Sequence, residues 1–264
     1  MENWPNKHTK IHFVIMGLLT ILFFAPAFAD DNTEEIVESV TIIGSKEDQK
    51  NLAGSGQIIS NDDLLKAMDT DIQKILTVVP GLYMRTEEGY GLRPNISIRG
   101  TAIERSAKVA IMEDGILVAP SPYTSSSAYY FPTTARIHAV EVLKGPAAVS
   151  QGPQTIGGAI NLISTPIPNA PSGKFTQELG ENGMKRTHLY AGGTSGNFGG
   201  LVEVHEHESD GFDSIANVGG DTGFDKSDLM IKARYENGNH SLTLKMVDLD
   251  ETSNQSYVGL HKTD

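Results

Sequence analysis

Asn95-Ile96-Ser97-Ile98-Arg99-Gly100, Ile111-Met112-Glu113-Asp114-Gly115, Glu141-Val142-Leu143-Lys144-Gly145-Pro146 and Gly157-Gly158-Ala159-Ile160-Asn161 are short runs, each bordered by glycine, that decide how this chain folds. Apolar residues fill them, alternating with polar ones from Asn95 to Arg99 and running in short blocks elsewhere, and Gly, Pro and Ser clusters separate the runs, so they read as short strands joined by turns. The same pattern holds from Leu82 to Pro166. Its plainest case is Lys108 to Met112, which turns at Glu113-Asp114-Gly115 into Ile116-Leu117-Val118, since Asp-Gly accepts the left-handed backbone of a tight hairpin. Upstream, Ser60-Asn61-Asp62-Asp63 leads into Leu64 to Met68, and Asp71 leads into Ile72 to Leu76. Hydroxyl and carboxylate acceptors stand there where free helical N–H groups need them, so two short capped helices are expected, the second ended by Pro80-Gly81. Residues 58–168 thus form one compact α+β domain.

Beyond Pro166, Pro168 and Pro171 the pattern lengthens. Phe198 to Ser209, Lys226 to Glu236 and Ser241 to Leu249 alternate over their whole length. Leu242, Leu244 and Met246 face one way, Thr243 and Lys245 the other; Leu229, Ile231, Ala233 and Tyr235 oppose Lys232 and Arg234. One apolar and one charged face is the dyad pattern of a transmembrane β-barrel with a lipid exterior and a wet lumen. Thr194-Ser195-Gly196-Asn197 and Asn237-Gly238-Asn239 read as tight turns, whereas Asp210 to Asp225 is a long polar loop, as at the two ends of such a barrel. Residues 169–264 are therefore the first antiparallel strands of a barrel. The five candidate strands between Lys174 and Leu249 fall short of the roughly 22 of a plugged transporter, so the barrel is incomplete and the chain by itself should not be a functional channel.

Lys7 and Lys10, an apolar run from Ile11 to Phe24 and Ala27-Phe28-Ala29 before Asp30-Asp31 mark residues 1–29 as a signal peptide cut after Ala29. The run is too short to cross a ~30 Å hydrocarbon core comfortably. No cysteine is present, which excludes thiol chemistry and disulfide support. A formal charge of −12 argues against binding nucleic acid, whose phosphates need a basic face. Residues 30–57 are polar and acidic except around Ile36-Val37 and Val40-Thr41-Ile42-Ile43. A β-branched run in such a setting reads either as a first strand or as a mobile extended segment that adds to the edge of a partner's sheet.

In this order and spacing, the glycine-bordered runs resemble the plug domain of TonB-dependent outer-membrane receptors. The resemblance implies an α+β plug inside a β-barrel in the cell outer membrane, with the plug facing the periplasm. Its motifs cover Glu38 to Pro168, with a looser likeness to Leu260. Glu38, Ser39, Val40, Thr41, Ile42, Ile43 and Gly44 match the family's TonB box, which implies a TonB energy transducer as partner. On positions that match the family's plug–barrel lock stand Arg99 and Lys144. Lysine departs from the pattern: it keeps the charge and loses the planar bidentate fork, and Glu141 is a nearby candidate partner for either cation.

Ligand contact in the family comes from apical plug loops. Two segments fit: Arg85, Tyr90 and Arg93 in one, Tyr123, Ser125, Ser126, Ser127, Tyr129 and Tyr130 in the other. Arginine forks and hydroxyls suit a compact anionic chelate, and Asp114 to Tyr123 with Gly152 to Gly158 are similar to ferric dicitrate receptors. The implied ligand is an iron(III) chelate, ferric citrate first; cobalamin, another metal chelate or an oligosaccharide are alternatives, as is a soluble periplasmic plug-like binding module. The box follows the cleavage site closely, so no N-terminal signalling domain is expected. His205-Glu206-His207-Glu208 offers two imidazoles on one strand face without a third fixed ligand and reads as lumen lining, not a metal site. Gly152 to Gly158 has no following Gly-Lys-Ser/Thr, so it is no phosphate loop, and no nucleophile–base spacing is visible. Neither cofactor nor enzymatic activity is expected.

Overall fold

The computed structural model describes residues 41–43, 52, 54–67, 70–86, 89–118, 127, 130–214 and 220–254. The signal peptide, Glu38, Ser39, Val40 and Gly44 of the box, and Tyr123, Ser125, Ser126 and Tyr129 of the second loop lie outside the described residues. The described chain divides into two compact units at Pro166.

In the first unit, β1 (Ser55–Ile59), β4 (Val109–Glu113), β5 (Ile116–Leu117), β6 (Ile137–Lys144) and β7 (Gly158–Ser164) form one sheet in the order β1-β6-β7-β4-β5. Only β4 and β7 run parallel. A separate ladder joins β2 (Leu82–Arg85) to β3 (Asn95–Ile98). The expected hairpin lies between β4 and β5, where Asp114 and Gly115 both take positive φ, 48° and 77°. Helix α1 (Asn61–Ala67) begins with a reciprocal cap. The Ser60 hydroxyl and backbone N–H donate to Asp63 Oδ2 at 2.6 and 3.1 Å, and the Asp63 N–H returns a longer bond to Ser60 Oγ. Helix α2 (Ile72–Leu76) is capped by Asp71, which accepts from Gln73 N at 2.8 Å.

Period-two alternation gives the sheet two unlike faces. Val109 and Ile111, Val140 and Val142, Ile160 and Leu162 pack with Ile72, Ile75 and Leu76 of α2 in the larger core. Ala110, Met112, Leu143 and Ala159 point the other way and pack with Ile43 of the N-terminal segment. Glu141 and Asn161, paired across β6 and β7, share the second face.

The second unit is an antiparallel sheet of β8 (Ser172–Leu179), β9 (Lys185–Ser195), β10 (Phe198–Ser209), β11 (Phe224–Asn237) and β12 (His240–Ser253), paired in chain order. Gly196-Asn197 and Gly238-Asn239 close two tight hairpins, while a longer stretch of chain separates the end of β10 at Ser209 from the start of β11 at Phe224. Burial here is inverted relative to a water-soluble sheet. Lys226, Asp228, Lys232 and Arg234 are each less than a tenth exposed, whereas Leu242, Leu244 and Met246 are 59%, 63% and 55% exposed. Strands that hide charge and show hydrocarbon suit an apolar solvent outside and a polar interior. On the charged side Lys226 pairs with Glu251 at 3.3 Å and Arg186 with Glu178, and His188 Nε2 lies 2.6 Å from Glu203 Oε1.

Candidate functional site: a docked segment, two cations and two loops

Thr41 to Ile43 lies against the second face of the plug sheet. Ile43 is 6% exposed and sits among Ala110, Met112, Leu143, Ala148 and Ala159. Beside it stands Glu141, wholly buried. Its two carboxylate oxygens accept from Ile42 N at 2.7 Å and Ile43 N at 3.0 Å, and Oε2 also accepts from Asn161 Nδ2 at 2.9 Å. A buried carboxylate is costly unless donors replace its hydration, and these three supply them. Asn161 is itself fixed, since its Oδ1 accepts from Gly115 N in the β4–β5 turn at 2.9 Å.

Two expectations change here. The segment is bent at Ile42 and Ile43, not extended. Consecutive N–H groups of a strand point to opposite sides, so both can reach one carboxylate only if the backbone bends. Glu141, in turn, partners neither Arg99 nor Lys144. Lys144 is three residues further along β6 and so projects to the opposite face. The sequence signal for this role was a carboxylate in register with apolar Ala139 and Leu143.

Arg99 is also placed differently from expectation. It lies outside the strand: β3 ends at Ile98, and Arg99 occupies an exposed turn with φ 54°, its N–H donating to Gly81 O at 2.8 Å. Its guanidinium reaches the end of β6, with Nη1 3.2 Å from where a Cβ on Gly145 would stand. Gly145, at φ 87°, is required by its backbone conformation. Lys144 Nζ donates to Pro80 O at 2.9 Å. Burial, and next the positive charge of Arg99, lower the pKa of Lys144 below its usual value. Arg99 and Lys144, the two residues expected to form a lock, therefore stand together as like charges, and among the described residues neither is in a salt bridge.

The loop residues separate into two groups. Ser127 is wholly buried; its hydroxyl donates to Pro94 O at 2.5 Å and lies 3.1 Å from Ser106 Oγ. Tyr130 joins a buried ion pair: its hydroxyl accepts from Arg136 Nη2 at 2.9 Å and reaches Glu113 Oε2 at 3.3 Å, while Arg136 and Glu113 pair directly. Both hydroxyls are engaged within the fold, not presented to solvent. Arg85 is exposed and paired with Glu104 at 2.9 Å, and Tyr90 and Arg93 are half-buried. In the second unit, the rings of His205 and His207 lie 5.9 Å apart by centroid, and among the described residues no group of three or more His, Asp or Glu is arranged to hold a metal.

A mixed plug sheet followed by inverted antiparallel strands defines a class, and comparison with known proteins agrees. The model of the TonB-dependent receptor plug domain matches residues 48–159. Residues 48–159 are thus a plug domain of the TonB-dependent receptor type. It is 25% identical to the vitamin B12 transporter BtuB of Photobacterium profundum over 248 residues, which is 87% of this chain and 40% of that protein. It is 31% identical to the iron-regulated outer membrane virulence protein of Vibrio cholerae over 153 residues, 55% of this chain and 22% of that one. The ferric citrate transporter FecA, solved in its unliganded form, shares the fold with a TM-score of 0.68 at 23% identity, over 84% of this chain and 34% of FecA. The chain thus spans about two fifths or less of the length of each of these proteins.

Proposed function

We propose that this chain is the N-terminal part of an energised outer-membrane receptor that imports an iron(III) chelate, with ferric citrate as the first candidate. The observation that carries this reading is the pairing, in one chain, of a plug that docks its own N-terminal segment with strands that bury charge and expose hydrocarbon. The exposed apolar faces of β11 and β12 meet outer-membrane lipid. The chelate binds the apical loops, the 38–44 segment leaves the plug, and the periplasmic TonB transducer pairs with it and pulls the plug aside. No covalent bond changes in this cycle; it consists of binding and gated permeation. Arg85, Tyr90 and Arg93, with Tyr123, Ser125, Ser126 and Tyr129, are the proposed ligand donors, and Arg99 and Lys144 the cations that meet carboxylates of the barrel wall.

Cobalamin is the second reading, favoured by the likeness to the vitamin B12 transporter over most of this chain. A soluble periplasmic module is disfavoured by the exposed Leu242, Leu244 and Met246. Equilibrium binding of ferric citrate and of cyanocobalamin to the receptor with its barrel closed separates the readings. Ferric citrate should bind, and alanine at Arg93, Tyr123 and Tyr129 together should weaken it at least roughly tenfold, since each charge-assisted donor to a carboxylate is worth about 1.5–3 kcal/mol. Ser127→Ala and Tyr130→Phe should lower stability and leave affinity unchanged. Binding of cobalamin alone removes the citrate assignment; unchanged affinity in the triple variant removes the loop assignment.

A further inference from the structure

We propose that Glu141 is a latch that withholds the N-terminal segment from its periplasmic partner. The inference rests on reading residues 38–44 as the partner-binding segment, and it adds the residue that controls their availability. Strand addition requires an extended backbone whose N–H groups point alternately to the two sides, those on one side entering the partner's ladder. In the docked state Ile42 and Ile43 are bent, and both N–H groups are taken by Glu141, at 2.7 and 3.0 Å. The same donors cannot serve the carboxylate and a ladder, nor can the same backbone be bent and extended. Docking on the plug and pairing with a transducer therefore exclude each other at these two residues.

The chemistry of a carboxylate suits a reversible contact. An aliphatic residue at position 141 would bury the segment through Ile43 alone and leave the Ile42 and Ile43 N–H groups without this acceptor. A carboxylate holds them by charge-assisted hydrogen bonds, yet it is readily hydrated once the segment departs and water reaches this face. Asn161 keeps the acceptor aimed. It donates to Glu141 and accepts from Gly115, and the turn at Gly115 leads through β5 into the second apical loop. A shift of that turn is thereby connected, through one amide side chain, to the acceptor that holds the segment.

The test uses the receptor with its barrel closed, free of ligand, and follows hydrogen exchange at the Ile42 and Ile43 amides together with binding of the transducer's periplasmic domain. Glu141→Gln keeps the shape but removes the charge and one acceptor oxygen. Exchange at both amides should become at least about tenfold faster, and the ligand-free variant should bind the transducer domain about tenfold more tightly than the wild type. Ile42→Pro leaves the plug sheet untouched and removes one donor, so it should speed exchange at Ile43 even if Glu141→Gln folds poorly. Wild-type exchange in both variants overturns the latch. If exchange accelerates while no form binds the transducer domain, the ligand-loaded wild type included, the reading of 38–44 as the partner segment fails instead, and the control assigned to Glu141 fails with it.

Discussion

Lys144 carries its charge at an unfavourable place, buried at the end of β6 with the Arg99 guanidinium beside it. A lysine whose folded pKa lies below its unfolded value reduces stability while both states are protonated. That loss is recovered as pH rises through the depressed folded pKa toward the unfolded value near 10.5. Plug stability should therefore rise with pH in this alkaline window, and Arg99→Ala should shrink the rise by removing one of its two causes. At neutral pH in the closed receptor, Arg99→Ala should lower the plug's resistance to urea and Lys144→Arg should raise it, each by about 1 kcal/mol, the discounted worth of an ion pair partly open to water. Urea transitions followed by a probe in the plug would check both; identical curves for all forms would mean that the cations meet no carboxylate of the wall. The family resemblance suggests a shared role for these two residues but cannot show that they stand side by side. Their proximity depends on the Arg99 turn meeting Gly145, a contact between distant segments. Glu141 was legible as an acid in an apolar register, yet two of its partners lie 98 and 99 positions away, beyond any local pattern.

Secondary structure was largely legible because its causes are local. The Ser60 and Asp71 caps, the Asp114-Gly115 turn and the alternation of β10 to β12 depend on side chains within a few residues of the backbone they shape. Thr41 to Ile43 is the exception. Its β-branched residues favour an extended strand, but the buried carboxylate of Glu141 bends it, so a tertiary contact overrides propensity. The inverted burial of β11 and β12 makes a further prediction. Met246→Arg places a charge on the lipid side near the middle of β12 and should cost about 2–4 kcal/mol of barrel stability in bilayers, whereas Thr243→Arg on the opposite face should cost little. Folding of the closed receptor into phospholipid vesicles, titrated with urea, measures the difference. Equal costs at the two positions would mean that these faces do not separate lipid from lumen.

Under the proposed function, the receptor joins three events in separate places: recognition at the two loops, restraint of the plug at Arg99 and Lys144, and presentation of residues 38–44 to a periplasmic transducer. The proposed chelate is the part least legible in the sequence, because it depends on a few loop side chains, and two of those expected, Ser127 and Tyr130, are engaged within the fold. The central claim is that energy reaches the plug through strand addition at residues 38–44. Uptake and binding of iron-55 citrate by cells bearing the closed receptor with Ile42→Pro test it most directly, since proline deletes a ladder donor without touching the ligand loops. Uptake should fall to the level of cells lacking the transducer, with surface binding equal to the wild type. Wild-type uptake by the proline variant would contradict the account.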